Sequence, residues 1–242
     1  MLARLRYCLP ILISILVLAL PLGAQDGNLL QHAGFDDAYS GRGRTDLNIP
    51  NGWGIWLSDS PRTEEWMNRP DKVYAFPHHV PPEVRAGEAS INLSAGYVTF
   101  TGALYQQVGV PMGATVEASA WAWLHTCMFP RNDEDEIIGG TCDSTPDSGA
   151  IVAVGIDPNG GTDPTASDIV WSTEERPHDQ WQQLSVEATA SGPVVTVFLY
   201  ATQRRPTDLN NVYWDDAALT VVDSGSASPA RSAGTLAPSS GA

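Results

Sequence analysis

Between Thr115 and His125 every even position is apolar: Val116, Ala118, Ala120, Ala122 and Leu124. The odd positions are Thr115, Glu117, Ser119, Trp121, Trp123 and His125. Alternation of this kind reads as a β-strand, because side chains two apart on an extended chain share a face. One face packs a core. The other begins polar and ends in two tryptophans and a histidine.

Other short apolar runs behave similarly, separated by Pro, Gly, Asn and Asp. Strands are expected at Lys72–Phe76, Ala89–Leu93, Ala103–Val110, Thr115–Leu124, Ala150–Ile156, Ile169–Trp171, Gln182–Ala188, Val194–Ala201 and Val212–Val222. At most one helical turn is expected, around Thr63–Met67. Strands at this spacing with turn signals between them predict an all-β fold, a jelly-roll β-sandwich of two antiparallel sheets.

Residues 1–24 read as an export signal. Arg4 and Arg6 precede an apolar run from Leu9 to Leu22, and Leu22-Gly23-Ala24 offers small residues for cleavage. The run is shorter than the ~20 residues a membrane span needs, so no membrane insertion is expected after processing, a retained anchor being the other reading. Residues 25–222 suffice for one all-β domain. Residues 223–242, rich in Ser, Ala, Pro and Gly, read as a flexible tail like the linkers joining extracellular modules.

The chain has 13 basic and 28 acidic residues, a formal net charge of −15. Such a balance excludes nucleic acid as a partner, since that binding rests on neutralising phosphates with Lys and Arg. It also argues against anionic membranes, and it suits an extracellular protein that meets neutral sugars or divalent cations. Past the signal, Cys127 and Cys142 remain. An even pair in an exported chain predicts a disulfide, two free thiols being the other reading.

The last expected strand contains Tyr213-Trp214-Asp215-Asp216-Ala217-Ala218-Leu219. Strict alternation would aim Asp215 the same way as Ala217, Leu219 and Val221. A carboxylate in that company is costly to desolvate unless a cation or several donors meet it. A structural metal at the mouth of the sandwich is therefore expected.

Several segments, in order, resemble the CenC-type carbohydrate-binding modules, which are galactose-binding-like jelly rolls. They are the opening Asn28-Leu29-Leu30-Gln31-His32-Ala33-Gly34-Phe35-Asp36, then Pro50-Asn51-Gly52-Trp53-Gly54-Ile55-Trp56. Gly102-Ala103-Leu104-Tyr105-Gln106-Gln107-Val108, Ser119-Ala120-Trp121-Ala122 and the closing segment quoted above follow. The run from Val154 to Pro164 is similar to a branch of undefined role in exported bacterial proteins. The resemblance implies a structural calcium ion tying the opening to the last strand through Asp36 and Asp215, with backbone carbonyls completing the shell. The other reading is that Asp215 accepts backbone or Arg hydrogen bonds and Asp36 is a turn residue.

Trp121, Trp123 and His125 are candidate ligand contacts, because aromatic faces stack on sugar rings while polar groups fix hydroxyls. Trp121 also reads as packing under a covering loop. Tyr105 and Gln107 share a face of the preceding strand, and Phe198 and Tyr200 share a face of a later one. Were these strands neighbours, a concave aromatic strip would result. Trp53, Trp56, Trp66, Trp171, Trp181 and Trp214 read as structural. The acidic loop Asn132–Glu136 reads as solvated, with a second cation as the other possibility. Together these readings describe a secreted or cell-surface, non-catalytic module binding polysaccharide or a surface glycan. An architectural or adhesive domain contacting other extracellular proteins is the second reading. A hydrolase or lyase using Glu117 with Glu187 is the third.

Overall fold

The computed structural model describes residues 27–224; the expected signal (1–24) and nearly all of the expected tail (223–242) lie outside them. Two five-stranded antiparallel sheets face each other across one core. Strands β4 (Tyr74–His78), β5 (Ser90–Ala95), β7 (Thr115–Cys127), β10 (Gln182–Thr189) and β12 (Leu209–Asp223) form sheet I, in the order β10-β7-β12-β5-β4. Strands β3 (Gly54–Leu57), β6 (Thr101–Gly109), β8 (Ile151–Asp157), β9 (Val170–Trp171) and β11 (Val194–Thr202) form sheet II, in the order β3-β6-β11-β8-β9. A ribbon of β1 (Tyr39–Gly41) and β2 (Asn48–Pro50) precedes them. The molecule is the all-β jelly-roll sandwich expected from the alternation. All nine expected strands are present, whereas β1, β2 and β3 were not foreseen: each is only three or four residues long. The expected helical turn near Thr63–Met67 is only a hydrogen-bonded turn, closed by Met67 N–H on the Glu64 carbonyl at 3.1 Å.

The core takes the even residues of β7 from Val116 to Leu124 together with Ile91, Leu93, Trp214 and Leu219 from sheet I. Leu104, Val152, Val154, Ile156, Val195, Val197 and Leu199 come from sheet II. Full burial of each large aliphatic side chain stabilises the fold by about 1.5–3 kcal/mol. Where the chain leaves β6 it crosses to the other sheet through Val110–Ala114, and where it leaves β10 it crosses back through Ala190–Pro193. The two crossovers bond each other: Val110 N–H to Pro193 carbonyl at 3.0 Å, Gly113 N–H to Ala190 carbonyl at 2.9 Å, and Ala190 N–H to Ala114 carbonyl at 2.9 Å. Backbone hydrogen bonds thus tie the two crossovers together at that end of the sandwich.

The opening segment lies along the end of β12. Leu29 N–H donates to the Leu219 carbonyl at 2.9 Å, Ala217 N–H to the Ala33 carbonyl at 2.8 Å, and the Asn28 amide to the Ala217 carbonyl at 3.0 Å. Between Asp215 and Ala218 the register with β7 shifts, and Asp216 has φ +45°. This bulge corrects the expected facing of Asp215. It pairs with Trp121 as Tyr213 pairs with Trp123, so it lies on the outer side of sheet I. Past the bulge Leu219 pairs with Ala118 in the core. One extra residue in a strand reverses everything after it.

Cys127 and Cys142 form a disulfide with Cα atoms 5.6 Å apart. On the far edge of sheet I, Pro77 interrupts the donors of β4, and Ala75 N–H is taken by the Asp46 carbonyl at 2.9 Å.

Candidate functional site

The outer face of sheet I carries two parallel rows of side chains. Register places Trp123, Tyr213, Asn92 and Phe76 side by side across β7, β12, β5 and β4. Trp181, just before β10, continues the row, its ring 5.8 Å from that of Trp123. The next row holds His125, Asn211, Ser94 and Tyr74. One row is therefore mainly aromatic and its neighbour mainly polar.

Exposure grades along the rows. Trp123 and Tyr213 are only 8% and 6% exposed, whereas Phe76 and Tyr74 at the sheet edge are 38% and 47% exposed. The last two rings are stacked at 6.5 Å, and His78 meets Tyr213 edge-on at 4.9 Å. Two nitrogen donors in the aromatic row, Trp123 Nε1 and Asn92 Nδ2, are buried without a hydrogen-bond partner among the described residues. Buried donors are nearly always paired, with protein or with ordered water, so these two lack an expected partner. His125 Nδ1 lies 3.2 Å from Asp179 Oδ1, which holds the imidazole at the end of the polar row.

The loop between β4 and β5 (79–89) forms a rim over the other end of this face. Trp181 Nε1 donates to the Pro82 carbonyl at 2.9 Å, and the Arg85 guanidinium carbon sits 3.8 Å from the centroid of the Trp121 ring. Trp121 is therefore occupied internally by a cation–π contact. Arg85 also pairs with Asp216.

Two carboxylates clasp the same loop from below. Asp215, fully buried, accepts hydrogen bonds from the N–H groups of Arg85 (2.9 Å), Ala86 (3.3 Å) and Asp216 (2.8 Å). Asp36, which is exposed, accepts from Glu88 (2.6 Å) and Ala89 (3.1 Å). Burial pushes the Asp215 carboxyl up to about 7 despite the three amides. A hard cation would suit these oxygens chemically and relieve that burial. Among the described residues no group of three His, Cys, Asp or Glu side chains converges on a common metal position. The acidic loop 132–136 is instead organised by Asn132 Oδ1, which accepts the N–H groups of Glu134 and Glu136.

Tyr105, Gln107 and Tyr200 do not join this site. The expected strip required the strands carrying these residues to adjoin β7, but β6 pairs with β3 and β11 in sheet II. Their side chains lie on the opposite outer face of the molecule. Tyr105 lies so close to Gly54 that a Cβ there would meet its ring at 2.3 Å. Gln107 Nε2 donates to the Gly160 carbonyl at 2.7 Å, holding the 158–168 loop. Tyr200 packs at 5.3 Å from Trp171. Trp53 and Trp214 are core residues, as expected.

Glu117 and Glu187 are direct cross-strand partners on the open face of sheet I, not residues facing each other over a cleft. Seven contributors to the aromatic and polar rows were not foreseen: Tyr74, Phe76, Asn92, Ser94, Asn211 and Tyr213, and Trp181, which reads as structural from the sequence. The alternation of Tyr74-Ala75-Phe76 and of Ile91-Asn92-Leu93-Ser94 carries the signal that could have found the first four.

No family model matches the sequence, and no curated protein matches it. Among solved structures, the chain is similar to the carbohydrate-binding module TmCBM61 in complex with β-1,4-galactotriose, at 13% identity and a TM-score of 0.49. That likeness covers 80% of this chain and 98% of that one. It is also similar to the CBM22-1 xylan-binding domain of Xyn10C from Paenibacillus barcinonensis, at 14% identity and a TM-score of 0.39. There it covers 71% of this chain and 86% of that one. A third is the enzymatically active domain of tailspike protein 4 of bacteriophage CBA120, at 8% identity and a TM-score of 0.47. That match covers 81% of this chain and 21% of that chain. No residue's role follows from these likenesses.

Proposed function

We propose that this protein is a non-catalytic, exported glycan-binding module that holds a neutral polysaccharide along the outer face of sheet I. One observation carries the reading: an aromatic row ending in exposed Phe76 lies beside a polar row ending in exposed Tyr74, and two buried donors of the aromatic row are unpaired among the described residues. Sugar rings present apolar faces and hydroxyl edges, and this surface offers a complement to each. Phe76 and Tyr74 supply the stacking platforms. Trp123 Nε1, Asn92, Asn211 and His125 supply hydrogen bonds to hydroxyls. The ordered segments resembling CenC-type modules support the same reading from the sequence.

Calcium is proposed as a structural ion that Asp36 and Asp215 would hold. Its chemistry there would be to neutralise a buried carboxylate beneath the 79–89 rim.

Affinity electrophoresis through gels cast with neutral polysaccharides tests the glycan reading. At least one polysaccharide should retard the wild-type chain. Phe76→Ala and Tyr74→Ala should each weaken retardation up to about tenfold, the scale of a lost aromatic contact. Trp123→Phe, which keeps a ring and deletes the N–H, should weaken it less. Retardation that survives Phe76→Ala, or that no polysaccharide produces, overturns the assignment. Capture of an extracellular protein that free sugars do not displace would favour the adhesive reading instead.

A further inference from the structure

We infer that the outer face of sheet II carries a separate binding site for an organic ammonium cation, in the cavity walled by Trp171 and Tyr200. The cavity has a volume of about 330 Å³ and is lined by Ala153, Pro164, Trp171, Ser172, Glu174 and Tyr200. That is the small end of the range for ligand pockets, about 300–1,000 Å³.

The walls are fixed before any ligand arrives. Trp171 lies against Gly155, where a Cβ would come within 2.5 Å of its ring, so only glycine at 155 lets the indole lie this close to the sheet. The two rings meet at 5.3 Å with an interplanar angle of 59°, forming a corner. Behind them Phe198 packs on Trp171 at 6.1 Å. The segment carrying the wall is tied to β8: Ser172 N–H donates to the Val154 carbonyl at 2.8 Å, and Val152 and Glu175 exchange backbone hydrogen bonds at 3.0 Å. Glu174 is thereby held at the cavity by its neighbours' backbone.

The polar chemistry of the lining favours positive charge. The Ser172 hydroxyl is already engaged, accepting from Val154 N–H and donating to the Thr173 carbonyl. Among the lining side chains of the described residues, the donors left for a sugar's oxygens are the Trp171 indole N–H and the Tyr200 hydroxyl. Glu174, an exposed residue, forms no hydrogen bond or ion pair among the described residues, and its negative charge acts on the Tyr200 hydroxyl at the cavity. No Arg or Lys among the described residues stacks on either ring, whereas Arg85 fills that role over Trp121 on the opposite face. Two π-faces and a free carboxylate are the components that recognise an ammonium group, and the chain's net charge of −15 draws cations toward it. The ammonium could be a primary amine or a quaternary head group. The chemistry they share is what the cavity answers.

Nuclear magnetic resonance on the full chain, following the Trp171 indole N–H identified by its loss in Trp171→Phe, tests this. Choline and n-butylammonium are titrated beside 3,3-dimethylbutan-1-ol, the neutral isostere of choline, and beside lactose. At least one cation should shift the Trp171 signal, with an affinity about tenfold or more above that of the neutral alcohol. Which cation acts more strongly distinguishes a quaternary from a primary source. Glu174→Gln, at an exposed position that leaves packing intact, should weaken cation binding about tenfold, and Trp123→Phe should leave it unchanged. Equal binding of the neutral alcohol, indifference to Glu174→Gln, or no response to either cation overturns the proposal. A larger shift with lactose than with the cations would reassign the cavity to saccharide.

Discussion

His178 shows how a single buried group sets an acid limit on this fold. Its Nδ1 lies 2.8 Å from the Ser144 hydroxyl, and its Nε2 is buried without a partner. Burial, aided by nearby Arg176 and His125 against the opposing pull of Asp179, holds the imidazole below its ordinary value. The unfolded chain therefore takes up this proton first as pH falls through about 6.5, and folding stability drops from there toward the lower folded value. Without calcium, Asp215 has the opposite sign. Its carboxyl is raised to about 7, so protonation below that pH favours the folded state. Comparing His178→Gln with wild type separates the two. The variant should lose less melting temperature between pH 7 and pH 5, and parallel curves would refute the assignment. Nothing in the sequence disclosed this environment. A histidine between Pro177 and Asp179 reads as an exposed turn until the loop is seen folding back on Leu124.

Among the elements, the 79–89 rim depends on one glycine. Gly87 has φ +66°, and a Cβ there would stand 2.1 Å from Asp36 Oδ1. Gly87→Ala thus combines a disfavoured backbone with a collision against the carboxylate that clasps the loop. It should cost about 1–3 kcal/mol and speed amide exchange at Glu88 and Ala89, as hydrogen-exchange mass spectrometry would show. Wild-type protection in the variant would mean that Asp36 does not hold the rim. Strands that obey strict alternation, above all β7, were legible from residue types alone. The partner of each strand was not. The residues between Val110 and Ala114 serve equally well as a hairpin or as a crossing between sheets, and that choice separates Tyr105 from Trp121 by the thickness of the sandwich. The bulge at Asp215-Asp216 was equally hidden, because two identical acids in succession do not reveal which one is additional.

At the scale of the whole molecule, the opening segment and the last strand meet, as the resemblance implied. Backbone pairing of Leu29 and Ala33 with Leu219 and Ala217, reinforced by the Asn28 side chain, joins them directly. Asp36 and Asp215 grip the rim nearby, and the proposed calcium would add to that closure by mass action. Chelation should lower Tm by several degrees, since ~1 kcal/mol moves a domain of this size by about 2–4 °C. Asp36→Asn should abolish the difference between calcium-loaded and chelated protein. A melting curve indifferent to chelation would leave the amide hydrogen bonds as the whole of the clasp.

The placement of Tyr74 and Phe76 on an outermost strand has a consequence for solubility. Naked rings on a sheet border ordinarily invite a second chain to zip alongside and start an aggregate. Here Pro77 brings no hydrogen to offer, and the Asp46 carbonyl has already claimed that of Ala75. At these two positions the border offers no hydrogen to another backbone while its rings stay bare, which opposes edge-to-edge pairing there.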